Sequence, residues 1–171
     1  MSEAGERDFG SASRFQAGAI GEPGNRTFYI YIEAGASTAW FLCEKGQVGA
    51  LAEQSLTMLN RLDRPIDEGE VERTVATAGE IPWPTSPDDV VFRVGSAAIQ
   101  VGNDQLMVVL HDVDGERVAL FAVSREQLRA MALLALNTVM SGRPICPKCH
   151  LPEDPEGHDC PSNNGHRSHQ R

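Results

Sequence analysis

The sequence has few of the features that mark secreted or membrane-spanning proteins. No apolar run approaches the roughly 18–20 residues that span a bilayer. The first ten residues, MSEAGERDFG, contain no apolar segment of the kind that a signal peptide requires. Cysteine is scarce, with 4 in 171 residues, and a chain of this length can bury a core without disulfides. We therefore expect a cytoplasmic protein that does not contact membranes.

Basic residues are also few relative to acidic ones. The chain has 15 Lys and Arg residues against 24 Asp and Glu residues, which gives a net charge of -9. Residues 141–171 carry four basic and four acidic side chains, so the whole excess lies on residues 1–140. An acidic body repels phosphate backbones. The charge argues against nucleic acid as a partner, and it leaves weak binding through the neutral tail as an alternative.

The familiar catalytic motifs are absent. The sequence has no glycine-rich phosphate loop, no G-x-S-x-G elbow and no H-E-x-x-H motif. His111 and Asp112 end a predicted strand, where they could act as an acid–base pair or be ordinary polar residues. The turn that contains Gly24, Asn25 and Arg26 could hold a small anionic or phosphorylated ligand through its N–H groups, or be a simple turn. The absence of these motifs favours a non-enzymatic protein over an enzyme.

Hydrophobic periodicity predicts an α+β body over residues 14–142, made of two βββα repeats. The first repeat spans residues 14–62, with predicted strands at 14–20, 26–33 and 37–44 and a helix at 47–62. The second spans residues 90–142, with strands at 90–95, 106–113 and 117–123 and a helix that ends near residue 141. A shift of 80 places Phe41 on Phe121 and Leu51 on Met131. We infer a pseudo-twofold relation between the repeats within one sheet-and-helix body.

The segments outside the repeats are predicted to be irregular. Residues 1–13 are small and polar, and we expect them to be disordered. Residues 63–89 are rich in proline and acidic residues and form a predicted linker. Within the linker, Trp83 is either packed on the body or exposed to a partner.

The second predicted helix has a clear start and an unusual composition. Ser124 and Gln127 have the spacing of a capping box. Ten of the thirteen residues 128–140 are apolar, so the helix is buried on more than one side. The helix is therefore either central to the body or part of a homo-oligomer interface.

The tail, residues 143–171, has the spacing of a zinc site. Cys146 and Cys149 form a CPKC knuckle, and His158 and Cys160, two residues apart, project to one side of an extended segment. We predict one structural Zn2+ with three cysteine ligands. His158 is the first choice for the fourth ligand, His166 the second and His150 the third. Four protein ligands would leave no open position for catalysis.

Several motifs resemble those of an uncharacterised actinobacterial family of the DUF3090 type, a domain of unknown function. They are G-E-P-G-N-R-T-F at residues 21–28, F-R-V-G at 92–95, S-G-R-P-x-C-P-x-C at 141–149, D-P-E-G-H-x-C-P at 154–161 and N-G-H at 164–166. The likeness covers about residues 14–166, although His150 stands where glycine is expected. It implies a zinc-ribbon-like tail, no known activity and an accessory role. The resemblance also implies a kinase-like protein as a candidate partner.

Overall fold

Apolar side chains alternate along most of the strands, and they recur with a 3.6-residue period along the helices. The computed structural model describes residues 5–142, 146–151, 153, 158, 160 and 161. In order along these residues, the elements are β1 (Gly5–Ser11), β2 (Arg14–Ile20), β3 (Thr27–Ala34), β4 (Ser37–Cys43), α1 (Lys45–Arg61), α2 (Glu68–Thr77), a 3-10 turn (Pro87–Asp89), β5 (Val90–Val101), β6 (Leu106–Asp112), β7 (Arg117–Val123) and α3 (Arg125–Met140). The predicted α+β class is confirmed.

The strands form one sheet in the order β1-β7-β6-β5-β4-β3-β2. Two antiparallel meanders, β2-β3-β4 and β5-β6-β7, meet where β4 pairs in parallel with β5. The terminal strands, β1 and β2, are consecutive in the chain, and the link between them bonds to both sides. Ala12 N donates to Ala122 O of β7, and Ser13 N donates to Glu33 O of β3. The sheet therefore closes on itself through this bent segment.

The first 13 residues correct one prediction. Gly5–Ser11 is a strand that pairs in parallel with β7, although its side chains are mostly exposed. Its backbone hydrogen bonds come from tertiary pairing, which composition does not reveal. The expected disorder of residues 1–13 is therefore wrong for β1, and residues 1–4 lie outside the described residues.

The elements β2, β3, β4 and α1 follow one another in the same order as β5, β6, β7 and α3. The bent segment of β1 and β2 pairs first in parallel with β7 and then antiparallel with β3, and β5 pairs in the same way with β4 and then β6. Gln127 Nε2 donates to Ala12 O at 2.8 Å, and Gln47 Nε2 donates to Val94 O at 3.0 Å. These reciprocal contacts are what a pseudo-twofold relation would require. The duplication itself remains a prediction.

The inner face of the sheet and the helices enclose the main core. Phe15 and Phe121 are 5.1 Å apart between ring centroids, and Phe41 and Phe92 have the same separation. Helix α3 packs on α1, α2 and β2, so its central placement is observed. The Ser124–Gln127 capping box is confirmed, with both hydrogen bonds present at the start of α3. No helix in the described part of the chain combines the length and apolarity needed to cross a membrane.

The predicted linker, residues 63–89, contains a helix and a segment that is hydrogen-bonded to the sheet. Glu68–Thr77 forms α2, so the prediction of a segment without regular structure is wrong there. Asp67 caps this helix by accepting from Glu70 N at 3.1 Å, and its side chain is the local signal for the helix start. The one fully buried residue of α2, Val71, explains why a helical stripe is hard to recognise. Residues 78–84, called the strap below, then cross the outer face of β2–β4.

The strap is fixed by hydrogen bonds to the sheet. Arg14 Nη2 donates to Glu80 O at 2.9 Å, and Trp40 Nε1 donates to Pro82 O at 2.8 Å. Ile81 packs on a second apolar cluster, which consists of Ile20, Tyr29, Tyr31 and Trp40. Trp83, next to these anchors, is 60% exposed. Trp83 is therefore exposed and not packed on the body.

Candidate metal centre

The cysteine pair of the tail lies in a tight turn. His150 N donates to Cys146 O, and Cys146 N donates to Leu151 O, each at 2.9 Å. The two bonds fold the chain back on itself within six residues. Such a turn aims the sulfurs of Cys146 and Cys149 at one point, as the CPKC spacing predicts.

The structure brings four side chains together at this point. The sulfurs of Cys146, Cys149 and Cys160 and a ring nitrogen of His158 all lie within 4.8 Å of one another. The Cys146 and Cys160 sulfurs are 3.9 Å apart, and Cys149 Sγ is 3.2 Å from His158 Nε2. A tetrahedral ion with sulfur ligands at about 2.3 Å would hold two sulfurs about 3.8 Å apart. The four side chains could therefore hold one metal ion.

Burial and mutual proximity set the electrostatics of the thiols. Cys146 is buried, and the other three ligand candidates are half-buried. A hydrogen bond from the Leu151 backbone lowers the pKa of Cys149, but desolvation and the neighbouring Cys160 and Cys146 thiols raise it, and the net direction is upward. Several thiolates at this separation repel one another unless a cation compensates them. The cluster has the electrostatics of a cation site.

His150 lies at the turn but not among the four clustered side chains. It has a φ of +58°, a left-handed conformation that favours glycine. A glycine, as the resemblance leads us to expect at this position, would adopt this conformation without strain. His150 is also exposed, and of the described histidines it is His158 that joins the three cysteines. His166, the second choice for the fourth ligand, lies outside the described residues.

The turn with the candidate anion-binding residues Gly24, Asn25 and Arg26 contacts the end of α3. Gly24 has a φ of +91°, and Asn25 N donates to Glu22 O in an ordinary turn. Arg26 Nη1 donates to Thr138 O at 3.2 Å and lies 3.5 Å from Ser141 Oγ. A cation at this place compensates the negative end of α3. The Arg26 guanidinium therefore already has partners in the body.

The His111–Asp112 pair lies elsewhere. Asp112 is 6% exposed and accepts from Glu116 N at 2.8 Å and from Arg117 Nε at 3.2 Å. Desolvation raises the pKa of Asp112, but the bonds from Arg117 and Glu116 outweigh it and lower the pKa overall. Asp112 ends β6 whereas Arg26 precedes β3, and these two strands run in the same direction. The structure thus places the two candidate groups at opposite ends of the sheet.

The comparisons with known proteins agree with the motifs. Residues 7–160 match the model of a family described as "Protein of unknown function (DUF3090)". The chain belongs to this family. The match takes in all four clustered side chains and ends at Cys160, so His166 lies beyond it. No curated protein and no solved structure matches the chain of this DUF3090 protein.

One residue near the cluster is not indicated by any sequence pattern. Glu153 Oε1 lies 3.7 Å from His158 Nδ1, on the side of the ring that faces away from the thiols. A carboxylate five positions before a histidine has no recognisable spacing. Glu153 is therefore recognised only from the folded position of the two side chains.

Proposed function

We propose that this protein binds one structural zinc ion through Cys146, Cys149, His158 and Cys160 and that it acts as a non-enzymatic accessory protein. The observation that carries the proposal is the convergence of three sulfurs and one imidazole nitrogen within 4.8 Å. Three soft ligands and one imidazole form a donor set that suits zinc better than magnesium or calcium. The reducing cytoplasm, where we expect the protein, keeps such thiols available.

A structural role for the ion follows from ligand number and from the position of the site. Four protein ligands complete the tetrahedron, so no open position remains for a reactive water. Both apolar clusters consist of residues from the body, and the four ligand candidates belong to neither. We therefore expect the ion to order the tail and to leave the body unaffected. Removing zinc with a chelator should preserve the circular dichroism spectrum and thermal transition of the body.

Elemental analysis of the purified full chain tests the metal claim. We expect about one zinc per chain, and Cys146→Ser or Cys160→Ser should release it. The fourth cysteine provides a matched control. Cys43 is buried in β4, and desolvation raises its pKa to about 12. Cys43→Ala should therefore keep the full zinc content.

The histidine variants test the ligand order separately. His158→Ala should weaken zinc binding far more than His166→Ala does. The opposite result would transfer the role of fourth ligand to His166 while leaving the zinc site in place. A wild-type chain without zinc, prepared under reducing conditions with zinc in the medium, would contradict the site as a whole.

The accessory role is supported by the strap. Trp83 is 60% exposed, although its neighbours are held by the Trp40–Pro82 hydrogen bond and by the packing of Ile81. An exposed tryptophan on an ordered backbone loses little conformational entropy on binding and is a frequent anchor of protein interfaces. We propose that Trp83 contacts a protein partner, and a kinase-like protein is one candidate.

Purification from the native cell tests the accessory role. Wild-type protein should recover one stoichiometric partner, and Trp83→Ala should lose it. The control is Val113→Ala, which removes a side chain of similar exposure, 57%, that lies outside the strap. If the wild-type chain elutes alone under gentle conditions, or if Trp83→Ala keeps the partner, this role of Trp83 is wrong.

A further inference from the structure

We propose that Glu153 is a positioning residue of the metal site: its carboxylate accepts the Nδ1 proton of His158 and thereby fixes the ring for metal binding through Nε2. This inference rests on the proposed zinc site and adds a residue that does not itself bind the ion. It also assigns a role to one particular acidic residue of the tail.

The orientation of the His158 ring carries the argument. Nε2 lies 3.2 Å from Cys149 Sγ and is therefore the nitrogen that faces the thiols. Nδ1 lies across the ring, 3.7 Å from Glu153 Oε1. A neutral imidazole that binds a cation through Nε2 carries its proton on Nδ1. An ionised carboxylate only accepts hydrogen bonds, so Glu153 suits a ring with a proton on Nδ1, and of such rings only the neutral one leaves Nε2 free to bind the ion.

The distance and the burial fit a contact that closes when the ring is fixed. An N–H···O hydrogen bond spans about 2.7–3.2 Å, so the Glu153 carboxylate has to approach Nδ1 by about 0.5–1 Å. The His158 side chain is 14% exposed and that of Glu153 is 37% exposed. Glu153 thus lies at the rim of the site, while the imidazole is largely shielded from water.

The predicted effect is on metal affinity. A carboxylate on the outer nitrogen of a metal-binding histidine fixes the tautomer and raises the basicity of the ring, and its loss typically weakens metal binding about 10–100-fold. The same loss leaves the set of ligands unchanged. We therefore expect the Glu153→Ala protein to bind zinc through three sulfurs and one nitrogen, but with lower affinity.

Competition with a chromophoric zinc chelator measures this effect on the full chain. Glu153→Ala should lower the affinity about 10–100-fold, and Glu153→Gln, whose amide oxygen can still accept the proton, should recover part of the loss. Glu53→Ala removes an exposed carboxylate from α1 and should leave the affinity unchanged. The d–d and charge-transfer bands of the cobalt-substituted protein should be alike in wild type and in both Glu153 variants.

A second background separates positioning from simple charge attraction. His158→Cys converts the site to four thiolates and removes the Nδ1 proton. In that background Glu153→Ala should change the zinc affinity less than twofold, because Glu153 has lost the group through which it acts. A charge effect on the ion would instead persist in both backgrounds.

Two results would overturn the proposal. One is a change of less than twofold for Glu153→Ala in the wild-type background. The other is an equal loss in the His158→Cys background. Both presuppose that wild-type protein binds zinc, so they are distinct from the failure of the proposed function, in which the wild-type chain binds none.

Discussion

Gly95 marks the point where β5 changes partners, and replacing it with alanine should strongly destabilise the body. The strand pairs with β4 as far as Arg93 and with β6 from Val94 onward, and its register with β6 shifts between Val94 and Ser96, on either side of Gly95. A Cβ atom at Gly95 would lie 2.5 Å from Asp112 O and 2.9 Å from Val113 Cα. Carbon–carbon contacts are normally about 3.5–4.0 Å, so the two strands would have to separate.

The surrounding backbone has little freedom to move away. Val113 N donates to Arg93 O at 3.1 Å, and the Asp112 carboxylate holds the following turn through Glu116 N. The alanine therefore either strains β5 or breaks these bonds. Overpacking of this kind typically costs about 1–3 kcal/mol, and we place Gly95→Ala at the upper end because the clash is with backbone. For a chain of this length, about 3 kcal/mol corresponds to a fall in Tm of about 6–12 °C.

Urea and thermal denaturation of the zinc-loaded chain measure the change. The matched control is Gly46→Ala in α1, where an added Cβ meets nothing within 4 Å. It should be neutral or raise stability by up to about 1 kcal/mol. A Tm of Gly95→Ala within about 2 °C of wild type, equivalent to less than about 1 kcal/mol, would refute the view that β5 is fixed at Gly95.

Three further changes test single contacts. His150→Gly relieves the steric cost of the left-handed conformation at residue 150, about 1 kcal/mol, and should raise zinc affinity about fivefold. A loss of affinity in chelator competition would instead make His150 a ligand. Trp40→Phe leaves Pro82 O without its donor and should cost about 1–2 kcal/mol, with faster hydrogen exchange in the strap; unchanged exchange would contradict the anchoring. The Tyr31 hydrogen bond lowers the pKa of Glu33, so its stabilisation is full above the unfolded pKa of about 4.3 and lost as pH falls below it. Glu33→Gln should therefore lower Tm more at pH 7 than at pH 3, and an equal fall in Tm at both pH values would contradict this account.

The fold could be predicted where local signals and tertiary structure agree. Periodicity indicates the strand at Arg14–Ile20 and the helices α1 and α3, and the Ser124–Gln127 spacing indicates the start of α3. The strand β1 could not be found, because its polar residues gain order only from pairing with β7. Helix α2 could not be predicted for a related reason, because its single fully buried residue leaves no apolar stripe in the sequence.

Part of the candidate site could likewise be predicted from the sequence, and part could not. Ligand spacing is a local property of the chain, so the sequence alone selects the three cysteines and ranks His158 ahead of His166 and His150 as the fourth ligand. In the structure His158 lies together with the three cysteines. The partner of the outer ring nitrogen depends on how the tail folds. Glu153 could therefore be recognised only from its 3.7 Å separation from His158. Local sequence also fails to indicate the contacts of the Gly24–Arg26 turn. Arg26 donates a hydrogen bond to Thr138 O in α3, a partner 112 residues away in the chain.

X-ray absorption at the zinc K-edge of the purified full chain tests the central claim most directly. The account predicts one zinc per chain with three sulfur neighbours at about 2.3 Å and one nitrogen at about 2.0–2.1 Å. His158→Cys should convert this shell to four sulfurs and remove the nitrogen. A wild-type spectrum without zinc, or with a shell dominated by oxygen and nitrogen, would contradict the assignment of Cys146, Cys149, His158 and Cys160 as a structural zinc site.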